Sequence, residues 1–141
     1  MLSRTSSNEA MTARLLVLAL LLACSASSRA ADPSDFLAGR GKDCPGCDLA
    51  GANLVGANLT GANLNKSDLK RANLAAARLG EAMLYEADLS GADLMHADLT
   101  GADLSRADLS GARLLLVKLT DAKLDGAKLA GTIMPDGTTH E

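Results

Sequence analysis

Cys44 and Cys47 stand two residues apart in the stretch DCPGCD, and a pair at that spacing can do three kinds of chemistry. It can exchange disulfides as a thiolate pair, supply half of a zinc site, or close into a structural crosslink. A closed zinc site takes four ligands, and the other candidates, His96 and His140, lie apart with no second cysteine pair. Thioredoxin-type exchange needs the pair beside a βαβ pattern, and none surrounds it. A disulfide or two buried thiols is therefore the expectation, with redox and metal roles as the alternatives. The acidic residues fall in regular order: Asp48, Asp68, Asp88 and Asp108 recur every twenty residues. A hard cation wants about six oxygen ligands in defined geometry, so this column reads as a solvated face. No serine, histidine and aspartate form a nucleophile pattern, and no glycine-rich phosphate loop is present. No enzyme activity, cofactor or metal is expected.

The elements that hold these residues begin after a leader. Arg14 precedes the apolar run LLVLALLLAC, residues 15–24, which is too short to cross a bilayer core of about 30 Å as a helix. Ser28 and Ala30 are small residues placed for cleavage after Ala30, so residues 1–30 are expected to be a signal peptide. Met11 is an alternative start. Cys24 ends a lipobox-like LLAC, and lipidation there is the alternative that would bring the protein to a membrane. Without Arg4, Arg14, Arg29 and Glu9 the chain keeps 11 basic and 16 acidic residues, a net charge of −5. That balance argues against non-specific nucleic-acid binding.

From Cys47 to Asp136 the chain divides into eighteen consecutive pentads without an insertion. The third position is leucine in seventeen of them, from Leu49 to Leu129, and Met134 closes the series. The first position is alanine in fourteen; Cys47, Ser67, Val117 and Thr132 are the exceptions. Neither a helix of period 3.6 nor a strand of period 2 wants an apolar residue every five. With Phe36 and Tyr85 as the sole aromatics, a core at ordinary density must come from repetition.

The pattern of small residue, Asp or Asn, Leu, polar residue and Gly resembles the pentapeptide-repeat family over residues 47–136. The resemblance implies an all-β, right-handed quadrilateral β-helix, a solenoid in which each pentad makes one side and four make a coil. Eighteen pentads then give about four and a half coils, roughly 20 Å of rod at a ladder spacing of about 4.8 Å. The third and first positions point inward, and Gly at the fifth tolerates the dihedrals of a tight corner. Cys47 takes an inward first position and Cys44 the preceding inward centre, so the two can meet inside the first coil; a cysteine-containing lead-in is similar to that of exported family members. Residues 31–46 form an N-terminal cap segment. A short capping helix is expected there, with Asp32 as N-cap, Pro33 at the first position, Asp35 in the first turn and Gly39 or Gly41 as stop. Phe36 and Leu37 would cover the first coil. Pro135 blocks further ladder pairing, and residues 137–141 are expected to be a flexible tail.

Positions twenty apart stack on one side, so the second positions form outward columns. Asp93, Asp98, Asp103 and Asp108 come to lie under Arg113, Lys118, Lys123 and Lys128. Inter-coil ion pairs Asp93–Arg113, Asp98–Lys118, Asp103–Lys123 and Asp108–Lys128 are predicted, with a role in fixing register. Met95, Leu115, Leu116 and Ile133 are predicted to face out together, and contiguous exposed apolar residues often mark an interaction surface. The function expected is a non-enzymatic, exported structural or interaction module, periplasmic or secreted, that presents rigid faces to an unknown protein partner or to a second copy through a face or an end. The alternative comes from family members that resemble a B-DNA rod and inhibit or protect DNA gyrase. Those tend to carry Phe at the central position, which no pentad here does.

Overall fold

The structure is a computed structural model and describes residues 33–38 and 40–141. The signal-peptide, lipobox and alternative-start expectations, Asp32 as N-cap and Gly39 as stop all lie outside the described residues.

The chain returns to the same side every twenty residues. Parallel bridges link Asp48, Asp68, Asp88, Asp108 and Lys128 in one column, and Asn53, Asn73, Asp93, Arg113 and Ile133 in the next. Two further columns run through Asn58, Arg78, Asp98 and Lys118, and through Asn63, Met83, Asp103 and Lys123. The four columns are the four sides of a solenoid. Among the described residues these pairings remain isolated bridges rather than continuous strands. A five-residue side explains this, because its last two positions are spent on the corner.

Each pentad makes the same backbone bonds. The third-position N–H donates to the second-position carbonyl of the following coil, as from Leu69 to Asp88 at 2.7 Å. The fifth-position N–H does likewise to a fourth position, as from Gly91 to Ser110 at 2.9 Å. The second-position N–H donates back to the preceding coil, as from Asp88 to Ser67 at 2.9 Å. The first-position N–H closes the corner, as from Ala92 to Leu89 at 3.0 Å. Burial without such partners would carry the full desolvation cost of each group.

These bonds force the fifth position into left-handed backbone whatever residue stands there. Every fifth position from residue 51 to residue 131 has positive φ: eight are glycine, and Lys66, Arg71, Ala76, Glu81, Glu86, His96, Arg106, Leu116 and Asp121 are not, with φ between 54° and 60°. Inside, the third-position leucines from Leu64 to Leu109 are fully buried, as are the alanines beside them. Each such leucine contributes about 1.5–3 kcal/mol. The two polar first-position residues bond back into the wall: Ser67 Oγ donates to the Leu64 carbonyl at 2.7 Å, and Thr132 Oγ1 to the Leu109 carbonyl at 2.6 Å.

Helix α1, Pro33–Leu37, precedes the repeats and buries Phe36 in the leucine core. Leu37, expected to cover the first coil as well, is exposed instead. Consecutive helical residues point about 100° apart, so a single turn offers one of the two to the coil. At the other end, residues 137–141, expected to be a flexible tail, carry backbone pairing. Thr139 pairs antiparallel with Ile133, the Met134 N–H donates to Thr138 at 2.7 Å, and the His140 N–H donates to Thr132 at 2.9 Å.

The corners yield a prediction of opposite signs. A left-handed L-residue costs roughly 1–2 kcal/mol, and the extra unfolded-state freedom of glycine returns about 0.5–1. Ala76→Gly should therefore stabilise the fold by about 0.5–1 kcal/mol. Gly56→Ala, whose Cβ would meet nothing within 4 Å, should lose a similar amount through backbone strain alone. Urea unfolding of both variants checks this; equal midpoints would contradict the assigned corner geometry.

Candidate interaction surface

With the interior filled by leucine and alanine, the chemistry of this protein lies on its walls. The second position does more there than meet solvent. Its side-chain Oδ1 accepts the fourth-position N–H, the one amide of the pentad that the coil bonds leave over. Asp48 serves Ala50, Asp68 serves Lys70 and Asp88 serves Ser90, each at 3.1 Å, and Asp98, Asp103 and Asp108 do the same at 3.0 Å. Asn53, Asn58, Asn63 and Asn73 make the same bond at 3.2–3.4 Å. This is an Asx turn, and it explains why Asp and Asn fill the position. Met83 cannot accept such a bond, and the Tyr85 N–H donates instead to Asn65 of the coil before, at 2.9 Å. Reading the columns for charge alone misses this role; the Asp/Asn preference at position two was its signal.

The hydroxyls at the fourth position add to the same carboxylates. The Thr100 hydroxyl donates to Asp98 at 2.6 Å, and the Ser90 hydroxyl to Asp88 at 2.6 Å. Bonds from the hydroxyl and amide of Thr100 hold Asp98 below the usual carboxylate range, and Ser105 and Ser110 do so for Asp103 and Asp108. Burial pushes Asp88 up, yet the bonds from Ser90 and Lys70 outweigh it and its carboxyl is lowered too.

The predicted ion-pair partners are neighbours in the ladder. Arg113 reaches Asp93 at 3.1 Å, Lys128 reaches Asp108 at 3.2 Å, and Lys118 reaches Asp98 at 3.8 Å. Lys123 sits above Asp103 and lowers its carboxyl through space, but the two do not close into an ion pair among the described residues. Exposed pairs are worth about 0–1 kcal/mol each. Two charge arrangements were not expected. Lys70, at a fourth position, bridges Asp68 at 3.5 Å and Asp88 at 3.3 Å and so relieves the like-charge column. At one corner Lys66 and Arg106 flank Glu86 at 3.6 and 3.5 Å, and the Arg106 guanidinium lies 5.9 Å from the Tyr85 ring centre.

Cys44 and Cys47 are joined as a disulfide with Cα atoms 5.4 Å apart, both buried at the start of the first coil. Among the described residues no group of three or more His, Cys, Asp or Glu is placed to hold a metal ion. Of the four apolar residues predicted to face out, Leu116 is 58% exposed. Met95, Leu115 and Ile133 are half-buried. The chain end accounts for part of this: Thr139 pairs with Ile133, and Gly137 lies beside the Leu115 side chain. Val55 and Met83 are exposed as well, on other parts of the wall.

The family pattern described as pentapeptide repeats matches eight copies over residues 43–80, 68–101 and 97–134. These segments span more than half of the 141 residues, and the chain belongs to the pentapeptide-repeat family. Its members' fold is the right-handed quadrilateral β-helix, in keeping with the four columns above. A pentapeptide repeat protein from the Arabidopsis thaliana thylakoid lumen is 25% identical, with 74% of each chain covered and a TM-score of 0.56. One from the cyanobacterium Cyanothece 51142 is 26% identical over 77% of this chain and 97% of its own, with a TM-score of 0.40. A third, from Nostoc PCC 7120, is 34% identical over 77% of this chain and 83% of its own, with a TM-score of 0.33. Among curated proteins no match is found.

Lowered carboxyls make stability depend on acid. A group whose folded pKa is depressed contributes stability above its unfolded value, near 3.9 for Asp, and loses it as pH falls through the folded one. Unfolding midpoints should hold from pH 7 down to about 5 and drop below about 4. Replacing Asp98, Asp103 and Asp108 by Asn keeps the Asx acceptor but removes the charge, so stability at pH 7 should fall toward its acid value and the acid limb should flatten. An unaltered acid limb in the triple variant would remove these carboxylates as its cause.

Proposed function

We propose that this protein is an exported, non-enzymatic module whose rigid walls hold a protein partner, with the corner at Leu116 as the contact. One observation carries the proposal. Leu116 is 58% exposed and sits at φ 59°, so its side chain gains little from burial while its backbone costs roughly 1–2 kcal/mol. The fold would be better served by glycine there. Leu115, Met95 and Ile133 extend the apolar surface beside it, and the same corner suits a second copy of the chain. The body behind it is about four and a half coils with α1 as its N-terminal cap, and the inter-coil ion pairs keep the coils in register.

Export is supported from three directions. The leader over residues 1–30 has a short apolar run and a small-residue cleavage site. A Cys44–Cys47 disulfide suits an oxidising compartment. The Arabidopsis relative is a thylakoid-lumen protein.

Leu116→Gly separates function from folding. The variant should be more stable by about 0.5–1 kcal/mol and should lose the partner that crosslinking captures with the wild-type chain in its native compartment. Capture at wild-type strength would reject the corner as the contact. N-terminal analysis of the same material should begin at Ala31; a lipidated Cys24 as first residue would place the protein on a membrane surface instead.

A further inference from the structure

The last coil, residues 112–131, ends unevenly. On the Arg113 side the chain covers itself: the Leu114 N–H donates to Ile133 at 2.7 Å and the Leu116 N–H to Pro135 at 3.1 Å, while at the end of the Lys128 side the Gly131 N–H donates to His140 at 2.7 Å. On the other three sides no described residue bonds to the backbone from above, apart from His140 at Gly131. The N–H groups of Leu119, Asp121, Leu124, Gly126 and Leu129 and the carbonyls of Val117, Ala122 and Ala127 have no backbone partner among the described residues. One coil earlier the equivalent amides are all bonded, as from Leu99 to Lys118 at 2.9 Å and from Leu104 to Lys123 at 2.8 Å. Leu119, Leu124 and Leu129 are half-buried, whereas Leu99, Leu104 and Leu109 beneath them are fully buried. An open row of donors and acceptors over apolar side chains is a template for another chain.

We propose that this three-sided edge is a docking site for an extended, acidic segment of another protein, which adds antiparallel as residues 138–140 do to residues 132–134. The backbone supplies the reach. Of the amides that bond upward one coil earlier, five lack a backbone partner against three such carbonyls among the described residues, so the edge suits a strand that brings carbonyls. Charge selects the occupant. The outward second positions of these sides are Lys118, Lys123 and Lys128, and Lys123 closes no ion pair among the described residues. A second copy docked end to end would set these lysines against their own counterparts, and like-charge juxtaposition of that kind disfavours a partner. Glutamate or aspartate at alternate positions of an added strand meets them instead, while the residues between face the leucines. The proposal stands on backbone groups of the last coil and not on Leu116, so each can fail without the other.

Hydrogen exchange of the full chain, followed amide by amide by NMR, tests it with a synthetic peptide of alternating valine and glutamate. The amides of Leu119, Asp121, Leu124, Gly126 and Leu129 should exchange freely alone and slow by about tenfold or more when the peptide saturates the edge. Lys123→Gln should weaken the peptide by up to about fivefold, the size of one exposed charge pair, and should shift the unfolding midpoint by no more than such a pair is worth. No slowing with the valine–glutamate peptide would overturn the site. Equal slowing by a valine–lysine peptide would overturn its acidic selectivity. Slowing without peptide that grows with protein concentration, together with a doubled sedimentation mass, would assign the edge to a second copy and reject the proposal.

Discussion

The structure depends on closure of the backbone after twenty residues, because only then does each coil find the hydrogen-bond partners of the next. Three of the four repeated backbone bonds in a pentad run between coils, and one turns the corner. Once that requirement is met, the rest has little freedom. The third side chain must enter a narrow interior, the first must be small enough to lie beside it, and the fifth must turn through left-handed backbone. Nine corners do so without glycine, which shows the ladder overriding a local preference worth roughly 1–2 kcal/mol. Lysine, glutamate and leucine at corners are tolerated because many cooperative bonds hold each one.

Most of the architecture was legible because the leucine period is unbroken from Leu49 to Leu129. A spacing of five that fits neither helix nor strand leaves few folds that bury every third position. The columns followed from arithmetic, and so did the pairing of Asp93 with Arg113 and Asp108 with Lys128. What escaped was local. The Asx turn at position two answers a leftover amide, and leftover amides become visible only when every backbone bond is placed. Lys70 was missed because it reaches the Asp68–Asp88 column from a fourth position. The outcome at Leu37 turned on a helix of a single turn, whose phase relative to the first coil is not written in its five residues. The pairing of Thr139 with Ile133 was hidden behind Pro135, which stops parallel stacking and leaves an antiparallel return open.

The walls divide their labour. At the second positions the aspartates satisfy the backbone first and meet cations second, so those charges are already committed to the fold. Groups that carry no such duty then stand out among the described residues: Leu116 on its corner, Lys123 without a carboxylate in contact, and the unpaired backbone row of the last coil.

The twenty-residue circuit also limits how such a molecule can change length. Inserting five residues leaves every leucine facing the axis but rotates all later walls by a quarter turn, so that Asp columns break and apolar corners migrate to another side. Inserting twenty adds one storey and leaves every wall in line. Growth and shrinkage that keep a working surface therefore come in whole circuits, while single pentads offer a way to swing one end of the rod relative to the other without disturbing its core.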